Sequence, residues 1–80
     1  MGDRRLFCQR EAAKAFRRLG FKIDKSSGKG SHWVVIHLLT GAKYTLPQNK
    51  REDYPIGYYG DVENYLNRCG FTYQDFLREL

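Results

Sequence analysis

The chain has 80 residues, enough for one domain (residues 1–80) with one small core, and this length excludes a second domain. Hydrophobic residues make up 41% and aromatic residues 15%, which excludes a disordered chain, and no apolar run approaches the roughly 18 residues that span a bilayer. The net charge of +5 favours polyanionic partners, although charge alone identifies none of them.

Neither export nor a metal site is expected from this sequence. No continuous apolar segment follows the first five residues, so no secretory signal is predicted and the default location is the cytoplasm. Cys8 and Cys69 have no Cys or His companions at zinc-ligand spacing, and each falls on the apolar stripe of a predicted helix. We therefore expect two buried free thiols, no metal and no cofactor.

The first half of the chain predicts a helix followed by three strands. Residues 3–19 lack Gly and Pro and repeat apolar residues every three or four positions, which indicates a helix capped by Asp3 and ended by Gly20. The three segments rich in alternating, β-branched or aromatic residues are 21–25, 33–39 and 43–46. Glycine-bearing turns separate them and Pro47 stops the last one, so they predict an antiparallel meander.

The second half predicts a loop and two helices. Residues 48–60 contain Asn49, Pro55, two glycines and mixed charges, which is typical of a surface loop. A second helix is predicted from an Asp61 cap to Gly70, and a short last helix after a Thr72 cap. The order α-β-β-β-α with a short C-terminal helix predicts an α+β fold, with helices on one face of a three-stranded antiparallel sheet.

Five short motifs occur in an order that is distinctive as a set. They are Gly20-Phe21, Gly30-Ser31-His32, Gly41, Thr45-Leu46-Pro47 and the interval from Gly60 to Gly70. As a set they resemble the HicA family, the small toxins of bacterial toxin–antitoxin pairs, over about residues 12–76. The resemblance implies a double-stranded-RNA-binding-domain-like fold and metal-independent cleavage of messenger RNA with His32 as catalyst. It also implies neutralisation by a HicB-like antitoxin.

His32 has the chemistry that this reaction needs. Cutting RNA without a metal requires a base for the 2′-hydroxyl proton and an acid for the leaving 5′-oxygen, and imidazole serves either role near neutral pH. The turn before it, Gly30-Ser31, frees backbone N–H groups to cradle a phosphate, and Lys29 adds positive charge. The alternative is that His32 merely begins a strand and hydrogen-bonds a neighbour.

The second histidine is not expected to complete an acid–base pair. His37 lies five residues after His32, so in one regular strand the two side chains point to opposite faces. We expect a surface or cross-strand role for His37. The second proton role then falls to water, Lys29 or a group from elsewhere in the fold.

Further basic and aromatic residues are candidates for RNA contact. Lys25 and Lys43, with Lys22 and Lys29, lie on or between the strands and either line a phosphate track or form a solvated face. Trp33 either stacks on an unpaired base or packs under the first helix or against the antitoxin. The three tyrosines of the predicted loop suit base stacking or a protein interface, and they are Tyr54, Tyr58 and Tyr59.

The sequence therefore leads to one hypothesis and two alternatives. The hypothesis is a metal-independent endoribonuclease toxin that binds messenger RNA and a HicB-like antitoxin, with His32 as the general acid or base. The first alternative is a non-catalytic RNA-binding module of the same fold, supported by the same charge. The second is an inactive homologue that binds only an antitoxin.

Overall fold

Helix α1 (Gln9–Arg18) opens the fold in a computed structural model that describes residues 7–25, 32–47, 53–55 and 57–80. The helix was predicted to start after an Asp3 cap, but Asp3 lies outside the described residues and Cys8 occupies the N-cap position. The backbone N–H of Cys8 donates to Glu11 Oε1 at 3.1 Å. Gly20, with φ +100°, ends the helix as predicted. The residue after the last turn adopts a left-handed backbone conformation, which favours glycine.

Three short strands form the predicted antiparallel meander. They are β1 (Lys22–Asp24), β2 (Trp33–Ile36) and β3 (Lys43–Leu46), in the sheet order β1-β2-β3. Val35 of the central strand lies opposite Ile23 on one side and Tyr44 on the other. The strand alternation therefore puts these three side chains on one face of the sheet, where Val35 is fully buried.

The central strand ends earlier than the apolar run 33–39 predicts. Gly41, with φ +76°, allows the chain to reverse, and its N–H donates to the His37 carbonyl at 2.7 Å. Leu38 and Leu39 therefore lie in the turn, where they are 65% and 91% exposed.

Two helices follow the sheet, α2 (Gly57–Arg68) and α3 (Tyr73–Arg78). The prediction that α2 starts after an Asp61 cap is wrong, and the last residues of the predicted loop are helical. Tyr59 and Val62 are both 1% exposed, so the buried stripe of α2 extends back into the glycine-containing segment. That burial outweighs the cost of about 1 kcal/mol for each helical glycine. Gly70 ends α2 and Thr72 caps α3, as predicted.

The core lies between the helices and one face of the sheet, which confirms the α+β architecture. Its largest fully buried side chains include Tyr59, Phe7, Phe16, Phe76, Leu46 and Leu66. The Phe7 ring stacks on Tyr59 with centroids 5.0 Å apart and meets Phe76 edge-on at 5.1 Å. The N-terminal segment is thus held against both later helices by aromatic contacts.

The opposite face of the sheet is called the open face here. It carries exposed Lys22, Lys43 and Thr45 around half-buried Val34 and Ile36. None of the described helices has the length and apolar character needed to cross a membrane.

The two cysteines are free and buried, as predicted. Burial raises the pKa of the Cys69 thiol, which keeps it protonated and poorly reactive.

Candidate functional site

His32 lies one residue before β2 and is exposed to solvent. The alternation of β2, continued one residue back from Trp33, places His32 on the open face with Val34 and Ile36. Lys43 lies on the same face, but it pairs with Ile36 at the far end of the strand. Four residues of extended chain separate the two positions by about 13 Å. Lys43 and His32 therefore lie at opposite ends of β2 on the open face.

His37 belongs to the core rather than to the site. It is 8% exposed, and its Nδ1 lies 2.9 Å from Thr40 Oγ1. Its ring packs against Phe21 and Phe71, with centroid distances of 5.0 and 6.2 Å. Of the two expected roles, surface or cross-strand, the surface one is wrong, because the chain turns after Ile36 and the two phenylalanines cover the imidazole. The expectation that the two histidine side chains lie on opposite faces of the sheet agrees with these positions.

Lys25 and Trp33 lie together on the helix side of the sheet. The Lys25 Nζ sits 4.4 Å from the centroid of the Trp33 ring, a cation–π contact. Trp33 is half-buried, packs against the core and lines a groove together with residues of the first helix, which agrees with packing under that helix, one of its three predicted roles. The other predicted phosphate contacts, Lys29, Gly30 and Ser31, lie outside the described residues.

The helix-side cluster opens into a groove with a volume of about 570 Å³, called the α1 groove here. The residues that line it are Cys8, Arg10, Glu11, Ala13, Lys14, Arg17, Lys25 and Trp33. Its position follows from a hydrogen bond that Gln9 Nε2 donates to the Leu46 carbonyl at 3.2 Å. Because Leu46 pairs with Trp33, this bond holds the start of α1 over the end of the sheet that carries Trp33.

The α1 groove is strongly basic. Arg10, Lys14 and Arg17 are exposed and follow each other at spacings of four and three, which puts them on one face of the helix. Glu11, the one carboxylate among the described lining residues, accepts the Cys8 N–H at the start of α1. Sequence reasoning missed these three cations, although their spacing beside the apolar stripe of the helix was a signal that could have found them.

The tyrosines of the predicted loop are not a surface cluster. Tyr54 and Tyr59 are 3% and 1% exposed, and the Tyr54 hydroxyl donates to the Pro47 carbonyl at 2.7 Å. Burial raises the pKa of Tyr54 well above its ordinary value. Tyr58 is half-buried, with its ring centroid 5.1 Å from that of Tyr54. The prediction of an exposed stacking or interface cluster is wrong: α2 begins five residues earlier than expected and carries Tyr59 into the core, and Tyr54 is buried in the segment before it.

Comparisons with known proteins return no relatives for this chain. No family model matches it, and neither the curated proteins nor the solved structures contain a significant match. Within the described parts of the chain, no three His, Cys, Asp or Glu side chains are grouped so that they could hold a metal ion.

Proposed function

We propose that this protein is a metal-independent endoribonuclease of the toxin type, acting on messenger RNA and neutralised by a HicB-like antitoxin. The observation that carries the proposal is the exposed imidazole of His32 at the start of the central strand. The α-β-β-β-α order and the net charge of +5 are consistent with the resemblance of the sequence to HicA toxins. Of the two histidines in the chain, His37 is buried, so His32 is the imidazole that a substrate can reach.

In the proposed reaction the 2′-oxygen of a ribose attacks the adjacent phosphorus, and the bond to the 5′-oxygen breaks. The products are a 2′,3′-cyclic phosphate and a free 5′-hydroxyl. His32 either takes the proton of the 2′-hydroxyl or gives one to the leaving 5′-oxygen, and imidazole suits both roles near neutral pH. The other proton is exchanged with water or with a second protein group, for which Lys29 is the nearest candidate in the sequence.

Replacement of His32 tests this proposal directly. The His32→Ala variant is expected to lose at least about 100-fold in cleavage rate, the usual contribution of a positioned general acid or base. The assay follows cyclic-phosphate ends on a single-stranded RNA, with chelator present throughout. Gln74→Ala, an exposed position on α3 away from the open face, serves as the control and is expected to cut at the parent rate. A His32→Ala protein that cuts as fast as the parent contradicts the mechanism.

A second candidate function is RNA binding without cleavage. The α1 groove favours it, because four of the described cations line this groove on the helix side of the sheet, whereas His32 lies on the open face. This alternative predicts salt-sensitive binding of RNA with no cyclic-phosphate product at any protein concentration.

A further inference from the structure

The strongest unassigned feature of the molecule is the charge of the α1 groove. Among the described residues, four cationic side chains and one carboxylate, that of Glu11, line it, a local excess of three positive charges in a chain whose net charge is +5. Arg10, Lys14 and Arg17 are all exposed, and a rise of about 1.5 Å per residue spreads them over about 10 Å of helix. A row of cations at this spacing complements a ligand whose negative charges also repeat along a line.

The fourth cation is held in place by the only tryptophan of the chain. The Lys25 Nζ lies 4.4 Å from the Trp33 ring centroid, and Trp33 is itself packed against the core. The ring therefore restrains a side chain that would otherwise sample many rotamers, and both residues line the groove. Lys25 and the row on α1 thus line the same groove.

We propose that the α1 groove binds the phosphate backbone of single-stranded RNA, with Arg10, Lys14, Arg17 and Lys25 as the phosphate contacts. A concave basic track beside an aromatic ring is the usual arrangement for unpaired strands. Double-stranded RNA is instead bound over about 16 base pairs by a surface that spans two minor grooves, which a row of cations about 10 Å long does not provide.

This assignment rests on the proposed function for its choice of RNA, and it adds a second contact region to that function. Trp33 and His32 are neighbours in sequence, on opposite sides of the sheet at the start of β2. A strand held in the α1 groove therefore reaches His32 by passing over this end of the sheet. The groove holds nucleotides next to the scissile phosphate, and His32 acts on the phosphate itself.

Binding is measured with a short single-stranded oligoribonucleotide that is 2′-O-methylated at every position, because it lacks the attacking hydroxyl and cannot be cut. The emission of Trp33, the single tryptophan, reports occupation of the groove without a label. Titrations at several salt concentrations compare the parent with Lys14→Gln and Arg17→Gln. The control is Arg68→Gln, which removes an exposed cation from α2, away from the groove.

Binding of the oligonucleotide is expected to shift Trp33 emission in the parent. Each groove variant is expected to lower the slope of log affinity against log salt by about 0.7 and to weaken binding several-fold, whereas the control keeps the parent slope. Gln is a good helix former, so the variants should retain the circular dichroism of the parent. Unchanged slopes in both groove variants, or no binding by the parent, overturn the proposal.

Two further outcomes separate this proposal from the proposed function. If the parent binds through the groove but leaves unmodified RNA intact, the groove assignment stands and the ribonuclease function fails. If the parent cuts RNA while both groove variants bind with the parent slope, the ribonuclease function stands and the groove assignment fails. A glutamate-rich peptide of equal charge that binds as tightly, with the same salt slope, overturns RNA as the occupant.

Discussion

At the residue scale, Tyr65 joins helix α2 to the sheet by hydrogen bonds. Its buried hydroxyl lies 2.8 Å from the Ala42 carbonyl and 3.3 Å from the Val35 carbonyl. Tyr65→Phe keeps the ring and removes the donor, so we expect a loss of about 1 kcal/mol in the free energy of unfolding. Urea denaturation followed by circular dichroism measures this loss.

Tyr59 offers the matched control for that experiment. Its hydroxyl is buried near the Phe7 backbone N–H but makes no hydrogen bond of standard geometry to any described residue. Removing an unsatisfied buried hydroxyl costs little, so Tyr59→Phe is expected to leave stability unchanged or to raise it. Equal losses in the two variants would mean that the Tyr65 hydrogen bonds contribute nothing to stability.

The side of the sheet on which a residue lies is easier to predict from the sequence than the tertiary contacts that the residue makes. The opposite sides of His32 and His37 follow from strand alternation, which is a local property of the backbone. The contact between Lys25 and Trp33 depends on the pairing of two strands, and the groove depends in addition on how α1 packs over them. These tertiary distances leave no local signal, so the basic groove was not predicted.

At the element scale, α3 depends on its N-terminal cap, because a helix of six residues has few internal hydrogen bonds. Thr72 Oγ1 accepts the Asp75 N–H at 3.1 Å, and the Thr72 N–H donates to Asp75 Oδ2 at 3.0 Å. The second bond lowers the pKa of Asp75, which keeps that carboxylate charged at the positive end of the helix. Thr72→Ala is expected to cost about 1 kcal/mol of unfolding free energy.

The comparison for Thr72→Ala is Gln74→Ala, an exposed change within the same helix. Alanine is a good helix former, so Gln74→Ala is expected to be neutral in urea denaturation. The role of the cap is refuted if the two variants unfold at the same urea concentration.

Helix ends were predictable where a local signal decides them. Gly20 and Gly70 end α1 and α2 with positive φ angles, and the Thr72 cap lies where its sequence pattern puts it. The start of α2 was not predicted, because Gly57 and Gly60 indicate a loop. In the structure this segment is helical, and the burial of Tyr59 in the core stabilises the helix. Burial of one ring against residues distant in sequence cannot be derived from the segment itself.

At the scale of the whole molecule, buried phenols should make the fold sensitive to alkali. Burial, helped by the charge of Asp61, raises the pKa of Tyr44 to about 12, and burial also raises the pKa values of Tyr54 and Tyr65. Phenols whose folded pKa exceeds the unfolded value of about 10 stabilise the fold fully below pH 10. We expect that stability to be lost as the pH rises from about 10 through 12.

Alkaline titration checks this expectation with two signals, tyrosinate absorbance and circular dichroism. The absorbance of the buried phenols is expected to appear together with the loss of helical signal, in one transition. Tyr44→Phe removes one of the coupled groups, so its stability should fall less steeply with pH than that of the parent. Complete ionisation near pH 10 with the fold intact would refute the coupling.

The position of Phe7 also determines when the chain can fold during its synthesis. The Phe7 ring is fully buried against Tyr59 and Phe76, and the Phe7 carbonyl accepts the Tyr54 N–H at 2.8 Å. These contacts join the first described residue to residues 47, 52 and 69 positions later in the chain. The core therefore cannot close on a ribosome until residue 76 has left the exit tunnel, and a truncated product that lacks α3 leaves Phe7 and Phe16 without the ring that covers both.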